Sequence, residues 1–359
     1  MNNRVYVIAE AGVNHNGSTD LARALVDAAK ASGADAVKFQ TFNPEALVSR
    51  HAQKAEYQKA TTGEAGSQLE MLRKLALSEQ QQRQLQDYSA EQGIEFLSSP
   101  FDIASAHWLL DGLKLGTLKL GSGELTNGPL LLEIAQRGAG LILSTGMSTL
   151  AEVEMALAVL AFGYTRSSAP VGTSEFIRAY ADPQARARLQ EKVTLLHCVT
   201  EYPTPLAEIN LRAMDTLQAA FGLPVGYSDH TQGITAAIAA AARGAGVIEK
   251  HLTLDRNMEG PDHRASLEPA EFAAMVTAIR EVEQIMGDGH KLPAACEAKN
   301  IPIARKSLVA ARAIKVGEPY SADNLTSKRP GDGLSPMRYW ELLGQPARRD
   351  YEADEVIRE

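Results

Sequence analysis

The chain has few of the features that mark secreted or membrane proteins. It contains only two cysteines among 359 residues, Cys198 and Cys296, in unrelated sequence contexts. Disulfide frameworks belong to oxidising compartments, so this pattern favours a reducing cytoplasm. The start, MNNRVYVIAEAG, is too short and too polar for a signal peptide. No apolar run approaches the roughly 20 residues that a membrane span needs. We therefore expect a cytoplasmic protein without a membrane partner.

Long basic runs are also missing, and the formal net charge is −8 at pH 7. Nucleic acid and anionic membranes are therefore not expected partners. An anionic small molecule stays open, because nearby lysines, small donors or a metal ion set the potential of a pocket. The chain shows neither an internal repeat nor a low-complexity tract. Its 45% hydrophobic and 22% charged residues are ordinary for a globular protein, and its length favours one large domain plus a small one.

Short β-rich runs alternate with longer amphipathic stretches over the first 285 residues. Continuous apolar strands alternating with helices are typical of a parallel sheet covered on both faces. Eight such units predict an α/β fold of the (β/α)8 TIM-barrel type, with a doubly wound sheet as the alternative. Helical patterns lie at 19–32, 78–92, 128–137, 149–162, 207–220, 232–243 and 269–286. The strand runs are VYVIAE (5–10), DAVKFQ (35–40), IEFLSS (94–99), TLKLGS (117–122), GLILST (140–145), VTLLHC (193–198), LPVGYS (223–228) and GVIEKH (246–251).

Two segments depart from the regular spacing of these units. Residues 43–77 are predicted to form a long polar connection after the second strand, and residues 163–192 extend the fifth βα unit. Long βα loops on a barrel serve either as lids or as decoration, and both readings stay open.

The texture of the sequence changes near residue 286. A stretch rich in Gly, Ala and polar residues is followed by short strand patterns, a KVGE turn and a predicted helix start at Asp323-Asn324-Leu325. The predicted domains are a barrel over 1–285, a linker over 286–300 and a small domain over 301–359.

Polar residues crowd the C-terminal ends of the predicted strands, where barrel enzymes carry their functional groups. Chance would place one or two there, so their concentration indicates a site. The residues are Glu10, Asn14, His15, Lys38, Gln40, Ser99, Lys119, Ser122, Glu124, Ser144, His197, Thr200, Ser228, Asp229, His230, Glu249 and His251.

Two histidines in this set are candidate metal ligands. His230 ends the seventh strand and His251 ends the eighth, so a closed barrel brings both to one mouth. A single histidine there is more often a hydrogen-bonded structural residue, but the pair points to a divalent metal. Only two strong ligands are visible, which favours a labile ion completed by water or substrate over a closed zinc site. His197 is a third candidate, with a supporting or core role as the alternative.

Small donors and one cation on neighbouring strands suit an anion. Glycines beside them let backbone N–H groups approach a phosphate, although Gly and Ser are also common in ordinary βα turns. Carboxylates at the same mouth would orient ligands or handle protons, or else pair with Lys38, Lys119 or Lys250. The anion set is Lys119, Gly121, Ser122, Gly123, Ser144, Gly146 and Ser228, and the carboxylates are Glu10, Glu124, Glu249 and Asp262.

Together these motifs resemble the N-acetylneuraminate (sialic acid) synthase family, from about residue 5 to the end and in the family's order. The C-terminal part, with RKSLVAARAIKVGE (305–318) and KRPGDG (328–333), is similar to the family's antifreeze-like (SAF) domain, a β-clip fold. The barrel motifs are AEAGVNHNG (9–17), VKFQTF (37–42), SSPFD (98–102), KLGSGEL (119–125), LSTGMS (143–148), LHCVTEYPTP (196–205), GYSDHT (226–231), IEKHLTLDR (248–256) and GPDHRAS (260–266).

The resemblance implies a transferase that condenses phosphoenolpyruvate with an amino-sugar aldehyde. Carbon 3 of phosphoenolpyruvate attacks the aldehyde, water adds to carbon 2, and phosphate leaves by C–O cleavage, giving a nine-carbon 2-keto acid. It further implies a divalent metal (Mn²⁺, with Mg²⁺ or Co²⁺ as alternatives) on His230 and His251. Family members are homodimers with a domain-swapped SAF domain, so Arg329 of the partner subunit would contact the sugar's N-acyl group.

Further site residues follow from the same resemblance. Glu10 matches the acid that handles protons around the tetrahedral intermediate. Phosphoenolpyruvate would be bound by Ser99, Lys119, Ser122, Ser144, Thr200, Tyr202 and Ser228. The sugar would be bound by Lys38, Gln40, Glu124, Tyr202, Glu249, Asp262 and Arg329.

The segment Thr200-Glu201-Tyr202 bears on the sugar. Members that make N-acetylneuraminate from N-acetylmannosamine carry an Asn-Ile-Tyr type of sequence there. The Thr-Glu-Tyr form looks more like the branch that makes N,N'-diacetyllegionaminate from 2,4-diacetamido-2,4,6-trideoxymannose. Neuraminate and pseudaminate synthesis are the alternatives.

Two rival functions come from other classes. One is a Schiff-base aldolase with Lys119 or Lys250 as nucleophile. The other is a carbohydrate-binding or ice-binding protein with a degenerate barrel, against which the intact Glu10, Lys119, His230 and His251 argue.

Overall fold

All eight predicted strands form, and they belong to one parallel sheet. The computed structural model describes residues 4–49, 67–168, 170 and 172–358. Each strand lies within three residues of its predicted bounds, because a buried apolar run bounded by polar or Gly-rich turns is a strong strand signal. The strands are β1 (Tyr6–Gly12), β2 (Ala36–Thr41), β3 (Glu95–Pro100), β4 (Thr117–Leu120), β5 (Gly140–Ser144), β6 (Val193–His197), β7 (Val225–Asp229) and β8 (Val247–His251).

The strand order is β3-β2-β1-β8-β7-β6-β5-β4. The two end strands, β3 and β4, lie side by side without a ladder between them, so the sheet curls into a nearly closed barrel. This confirms the (β/α)8 prediction and excludes the doubly wound alternative, whose sheet would be open. Register places Glu10 of β1 opposite Lys38 of β2 and His251 of β8, at one level of the barrel.

Helices cover the outside of the barrel through their apolar faces, and each is named here for the described residues. Within those residues, no helix is both long enough and apolar enough to cross a membrane. The helices of the first 287 residues are α1 (Thr19–Ala31), α2 (Pro44–Leu47), α3 (Gln68–Leu75), α4 (Glu79–Gln92), α5 (Ile103–His107), α6 (Gly128–Gln136), α7 (Leu150–Thr165), α8 (Thr173–Tyr180), α9 (Pro183–Lys192), α10 (Ala213–Phe221), α11 (Thr235–Ala242) and α12 (Pro269–Met286).

An apolar layer fills the inside of the barrel. Side chains alternate between the two faces of a strand, so residues two apart share a face. Ile8, Ala36, Leu97, Ile142 and Val247 all belong to this inner cluster. Each comes two residues before a polar strand-end residue, and those partners are Glu10, Lys38, Ser99, Ser144 and Glu249. The inner cluster therefore forms an apolar floor under the polar mouth.

The long polar connection predicted over residues 43–77 carries helical structure in its described part. The segment contains α2 and α3, while residues 50–66 lie outside the described residues. Ser67 caps α3: its hydroxyl accepts from the N–H of Glu70, and the Glu70 carboxylate accepts from the N–H of Ser67. Met71 and Leu75 on this helix are buried in an apolar cluster with Val13 and Phe42.

The 163–192 extension is an outer layer. Helix α7 runs to Thr165, and α8 and α9 pack against it, with Ala179 and Leu189 buried in the main core. None of the described residues of this segment lines the central cavity. The structure thus favours decoration over a lid.

The chain divides at residue 287 into the units Met1–Gly287 and Asp288–Glu359, and the predicted linker lies at that division. In the second unit β9 (Ser307–Ala310) pairs antiparallel with β10 (Leu325–Lys328) over a small apolar core. The predicted helix start at 323–325 is wrong. The buried Asn324 side chain accepts from the N–H of Ser321 and donates to the carbonyl of Pro319, which closes a turn and sends Leu325 into β10. Short helices α13 (Ile301–Ala304) and α14 (Tyr339–Leu342) complete this unit.

Candidate active site

A cavity of about 320 Å³ opens at the C-terminal ends of the barrel strands. Every barrel residue that the family resemblance assigns to catalysis, substrate or metal lines it. Arg329 belongs to the second unit, where it is exposed and its Nε donates to the carbonyl of Ala304 at 3.0 Å. The predicted residues around the cavity are Glu10, Lys38, Gln40, Ser99, Lys119, Ser122, Glu124, Ser144, Thr200, Tyr202, Ser228, His230, Glu249, His251 and Asp262.

The two predicted metal ligands lie side by side at the ends of β7 and β8, with ring centroids 5.7 Å apart. Burial lowers the pKa of His230 to about 4 and lowers that of His251 well below its ordinary value, so both rings are neutral. Nδ1 of His230 lies 2.6 Å from the carbonyl of Val199, which makes Nδ1 the donor and leaves the Nε2 lone pair available. Nε2 lies 3.1 Å from the hydroxyl of Tyr202.

His251 supplies a second imidazole nitrogen for a ligand. Its Nδ1 is buried and has no hydrogen-bond partner among the described residues, and a carboxylate oxygen of Asp262 lies 3.9 Å away. Neutral imidazole is a good ligand for Mn²⁺, Co²⁺ and related ions. No group of three or more His, Cys, Asp or Glu suited to a metal occurs in the described ranges. The donors present therefore fit an ion whose coordination water or substrate oxygens would complete.

Buried charges alternate along one wall of the cavity. Lys38 pairs with Glu10, and Glu249 lies between Lys38 (3.5 Å) and Lys119 (3.2 Å). Burial opposes charge on all of them. It raises the pKa of Glu10 although Lys38 pulls the other way, whereas Lys119 and Lys38 overcome burial and lower the pKa of Glu249. The carboxylates of Glu10 and Glu249 likewise overcome burial to raise the pKa of Lys38. Glu249 is thus a fixed anion, and Glu10 is an acid able to exchange a proton.

A third acidic group stands beside Glu10. Burial, and then the charge of Glu10, raise the pKa of Asp262 to about 7. Gly12 has φ +53°, and a Cβ built there would lie 3.1 Å from the Glu10 carboxylate, 3.4 Å from the Gln40 amide and 3.6 Å from the Asp262 carboxylate. A side chain at this position would adopt a disfavoured backbone conformation and crowd all three groups. Glycine here keeps this part of the cavity open.

Two unpartnered hydroxyls also line the cavity. Oγ of Ser144 and Oγ1 of Thr200 are buried without hydrogen-bond partners among the described residues. Buried polar groups are usually satisfied, so orphaned hydroxyls beside Lys119 indicate a polar ligand. The backbone N–H of Gly146 donates to Oγ of Ser122 at 3.0 Å, and a Cβ on Gly146 would come within 2.7 Å of the hydroxyls of both Ser122 and Thr200.

Several residues considered from the sequence do not line this cavity, namely Asn14, His15, Gly146, His197, Asp229 and Lys250. His197 lines a separate surface cavity, and its Nε2 lies 2.7 Å from the carbonyl of Ile209. Lys250 is fully buried and donates to the Asp229 carboxylate at 2.8 Å and to the carbonyl of Thr231. It therefore joins the ends of β7 and β8 on the face away from the cavity, where no Schiff-base substrate reaches it.

Sequence reasoning missed an apolar part of the lining, here called the apolar wall. Val13, Phe42, Leu47, Met71, Leu72 and Leu75 form it, and all six line the cavity. The aromatic rings of Phe42 and Phe101 meet edge to face beside it, 6.1 Å between centroids. The signal was present in Ser67-Gln68-Leu69-Glu70, a capping-box pattern before an apolar repeat at 71, 72 and 75.

Known proteins are similar to this chain in both sequence and fold. It is 48% identical over 99% of its length to the N,N'-diacetyllegionaminic acid synthase of Campylobacter jejuni, covering 99% of that protein. It is 42% identical over 94% of its length to the enzyme of the same name from Legionella pneumophila, covering 89%. Among solved structures, N-acetylneuraminic acid (sialic acid) synthetase from Leptospira borgpetersenii, in complex with citrate, matches 84% of this chain and 91% of its own with a TM-score of 0.68 and 31% identity.

Family models cover both units. Residues 25–291 match the NeuB family, and residues 305–359 match the SAF domain. These matches confirm both the family resemblance and the identity of the second unit that the sequence motifs predict. The chain belongs to the NeuB family and consists of a (β/α)8 barrel followed by a C-terminal SAF domain.

Proposed function

We propose that this chain condenses phosphoenolpyruvate with an N-acetylated amino-sugar aldehyde, 2,4-diacetamido-2,4,6-trideoxymannose, to give N,N'-diacetyllegionaminate and phosphate. The observation that carries the proposal is the cavity itself, which sets two neutral imidazoles beside a lysine and orphaned buried hydroxyls. The identity of 48% to a protein named as a synthase of this acid supports the choice of sugar.

The anionic substrate takes the wall of small donors. The Lys119 ammonium and the hydroxyls of Ser144 and Thr200 bind the phosphate and carboxylate of phosphoenolpyruvate, because they combine one positive charge with donors that lack a partner within the described part of the chain. Ser99, Ser122, Tyr202 and Ser228 complete this set in the same cavity. Holding both substrates in one cavity makes the carbon–carbon bond formation effectively unimolecular.

The sugar takes the acidic side of the cavity, with Lys38, Gln40, Glu124, Glu249 and Asp262 along its hydroxyl and acetamido groups. Carbon 3 of phosphoenolpyruvate attacks the aldehyde carbon, and its π electrons form the new C–C bond. Water then adds to carbon 2, and the C2–O bond to phosphate breaks. Glu10, buried and with a raised pKa, takes one proton of this water and returns it to the oxygen of the former aldehyde, and the second proton of the water leaves with the phosphate.

His230 and His251 would hold a divalent cation, with Mn²⁺ the first choice and Mg²⁺ or Co²⁺ the alternatives. When bound, such an ion supplies Lewis-acid polarisation of the aldehyde oxygen. The hydrogen bond between Nδ1 of His230 and the Val199 carbonyl fixes the ring that presents Nε2 to the cavity.

Phosphate release tests the reaction and its substrate together. Purified protein is given phosphoenolpyruvate with 2,4-diacetamido-2,4,6-trideoxymannose or, in parallel, N-acetylmannosamine, with and without EDTA. We expect release with the first sugar, loss with EDTA and recovery with Mn²⁺. Faster release with N-acetylmannosamine would instead favour neuraminate synthesis. Failure with all these sugars, or borohydride trapping with pyruvate, would sink the synthase proposal.

We further propose a cytoplasmic homodimer in which Arg329 of the partner subunit contacts the N-acyl group of the sugar. The exposed guanidinium of Arg329, on the SAF domain, supports an intermolecular role. Mixing His251→Ala chains with Arg329→Ala chains tests this directly. If each site combines two chains, subunit exchange creates a mixed dimer with one intact site, and about a quarter of all sites regain activity. If Arg329 instead completes the site of its own chain, no mixed dimer contains an intact site. Activity then stays at the level of the separate variants.

A further inference from the structure

The apolar wall has a defined origin in the fold. Helix α3 turns one face to the cavity, because Gln68, Met71, Leu72 and Leu75 are spaced i, i+3, i+4 and i+7 and all four line it. Val13 follows β1, and Phe42 and Leu47 follow β2. The wall therefore lies on the β1–β3 side of the mouth. Among the four helix residues that line the cavity, Gln68 in the first turn carries the one polar side chain.

The wall shares its side of the mouth with Lys38, Gln40 and Ser99, but the main anion donors and the histidine pair lie on other strands. Lys119, Ser144 and Thr200 lie at or after the ends of β4, β5 and β6, and the histidine pair ends β7 and β8. Around the barrel the order is thus anion donors, histidine pair, then the acidic group of β1, and last the apolar wall. A molecule that presents its aldehyde to the histidines and passes Glu10 reaches the wall with its far end.

We propose that the apolar wall receives carbon 6 of the sugar and selects a methyl group there over a hydroxymethyl group. This inference rests on the proposed function, because it takes the aldehyde end to lie at the histidine pair. An N-acyl group on carbon 2 stays near that pair, whereas carbon 6 is the farthest carbon from the aldehyde. Phe42, Met71 and Leu75 are almost fully buried, so a hydroxyl placed against them loses its water without gaining a partner.

The size of the effect follows from how apolar pockets discriminate. Such a pocket rejects a ligand that adds one hydroxyl by about 10²-fold at most. We therefore expect kcat/KM for 2,4-diacetamido-2,4,6-trideoxymannose to exceed that for its 6-hydroxy counterpart by about 10- to 100-fold. The two sugars differ by one oxygen atom, so the ratio reports the surroundings of carbon 6.

Variants of partly exposed wall residues test the location. Leu72→Gln and Leu47→Gln add an amide to the wall without opening the buried cluster, and Leu72→Met and Leu47→Met are matched apolar controls of similar volume. We expect at least one Gln variant to reduce the preference for the 6-deoxy sugar about 10-fold, chiefly by improving the 6-hydroxy substrate. Both Met variants should keep the wild-type preference, and thermal melting confirms that each variant is folded.

The outcomes separate this inference from the proposed function. Phosphate release from both sugars at equal efficiency overturns the wall as a selector while leaving the synthase proposal intact. A preference that survives both Gln variants places the selection elsewhere and also overturns it. Release from neither sugar contradicts the synthase proposal, and the wall inference falls with it.

Discussion

Replacing Lys119 by methionine should lower kcat/KM for phosphoenolpyruvate by about 10²- to 10³-fold, the usual effect of removing a positioned donor from a developing charge. The Lys119 side chain is only 6% exposed and lies 3.2 Å from Glu249. Its ammonium belongs to the same cavity lining as the orphaned hydroxyls of Ser144 and Thr200. Without it, phosphoenolpyruvate meets Glu249 and Glu10 with Lys38 as the remaining nearby lysine.

The same substitution should weaken the fold. Removing one partner of a buried ion pair costs about 3 kcal/mol or more when the other charge is left alone. Glu249 keeps an ion pair with Lys38 and accepts a hydrogen bond from Ser228 at 2.8 Å, so the loss in free energy of unfolding should stay near or below about 3 kcal/mol. Urea unfolding and phosphate-release kinetics measure the two effects. The exposed Lys291→Met is the control. Wild-type affinity for phosphoenolpyruvate in Lys119→Met would contradict the assignment.

Replacing His230 or His251 by alanine should remove both metal binding and turnover. Each supplies one of the two neutral imidazoles at the proposed metal site, so either substitution removes half of the nitrogen ligands available to the ion. Loss of Lewis-acid stabilisation amounts to several kcal/mol, and every 1.36 kcal/mol is a factor of ten in rate. We therefore expect kcat to fall by about 10³-fold or more.

Metal binding gives a readout that is independent of turnover. Titration calorimetry with Mn²⁺ should show a saturable site in the wild-type protein and at least about a hundredfold weaker binding in each variant. His290→Ala removes an exposed histidine of the second unit and should change neither binding nor rate. Full activity in His230→Ala would exclude this residue as a ligand.

The parts of the fold that could be predicted are those set by short-range pattern. Continuous apolar runs locate β1 to β8, and the polar residue that ends each run locates the cavity, as with Glu10, Ser144 and His251. Strand alternation also determines on which face of β8 the Lys250 side chain lies. Lys250 stands between Glu249 and His251, so period two directs it away from the cavity, where it pairs with Asp229.

The parts that escaped prediction are those that depend on distant segments. The apolar wall joins Val13, Phe42 and Leu75 from three separate loops and helices, and none of their local patterns states that they share a cavity. The turn at Asn324 escaped for a related reason. Its Asp-Asn-Leu sequence suits a helix start. In the structure, however, the buried Asn324 amide accepts a hydrogen bond from the N–H of Ser321, and the residues that follow pair with β9 as strand β10.

One junction of the barrel is closed by no backbone ladder, the one between β3 and β4. Ser99 ends the first of these strands, and Lys119 and Ser122 belong to the end of the second. A phosphoenolpyruvate molecule bound by all three residues would connect β3 to β4 through side-chain contacts. Backbone hydrogen bonds make that connection between the other neighbouring strands. Binding of phosphoenolpyruvate would then raise the free energy of unfolding of the barrel, by about 2.7 kcal/mol at a ligand concentration a hundred times Kd.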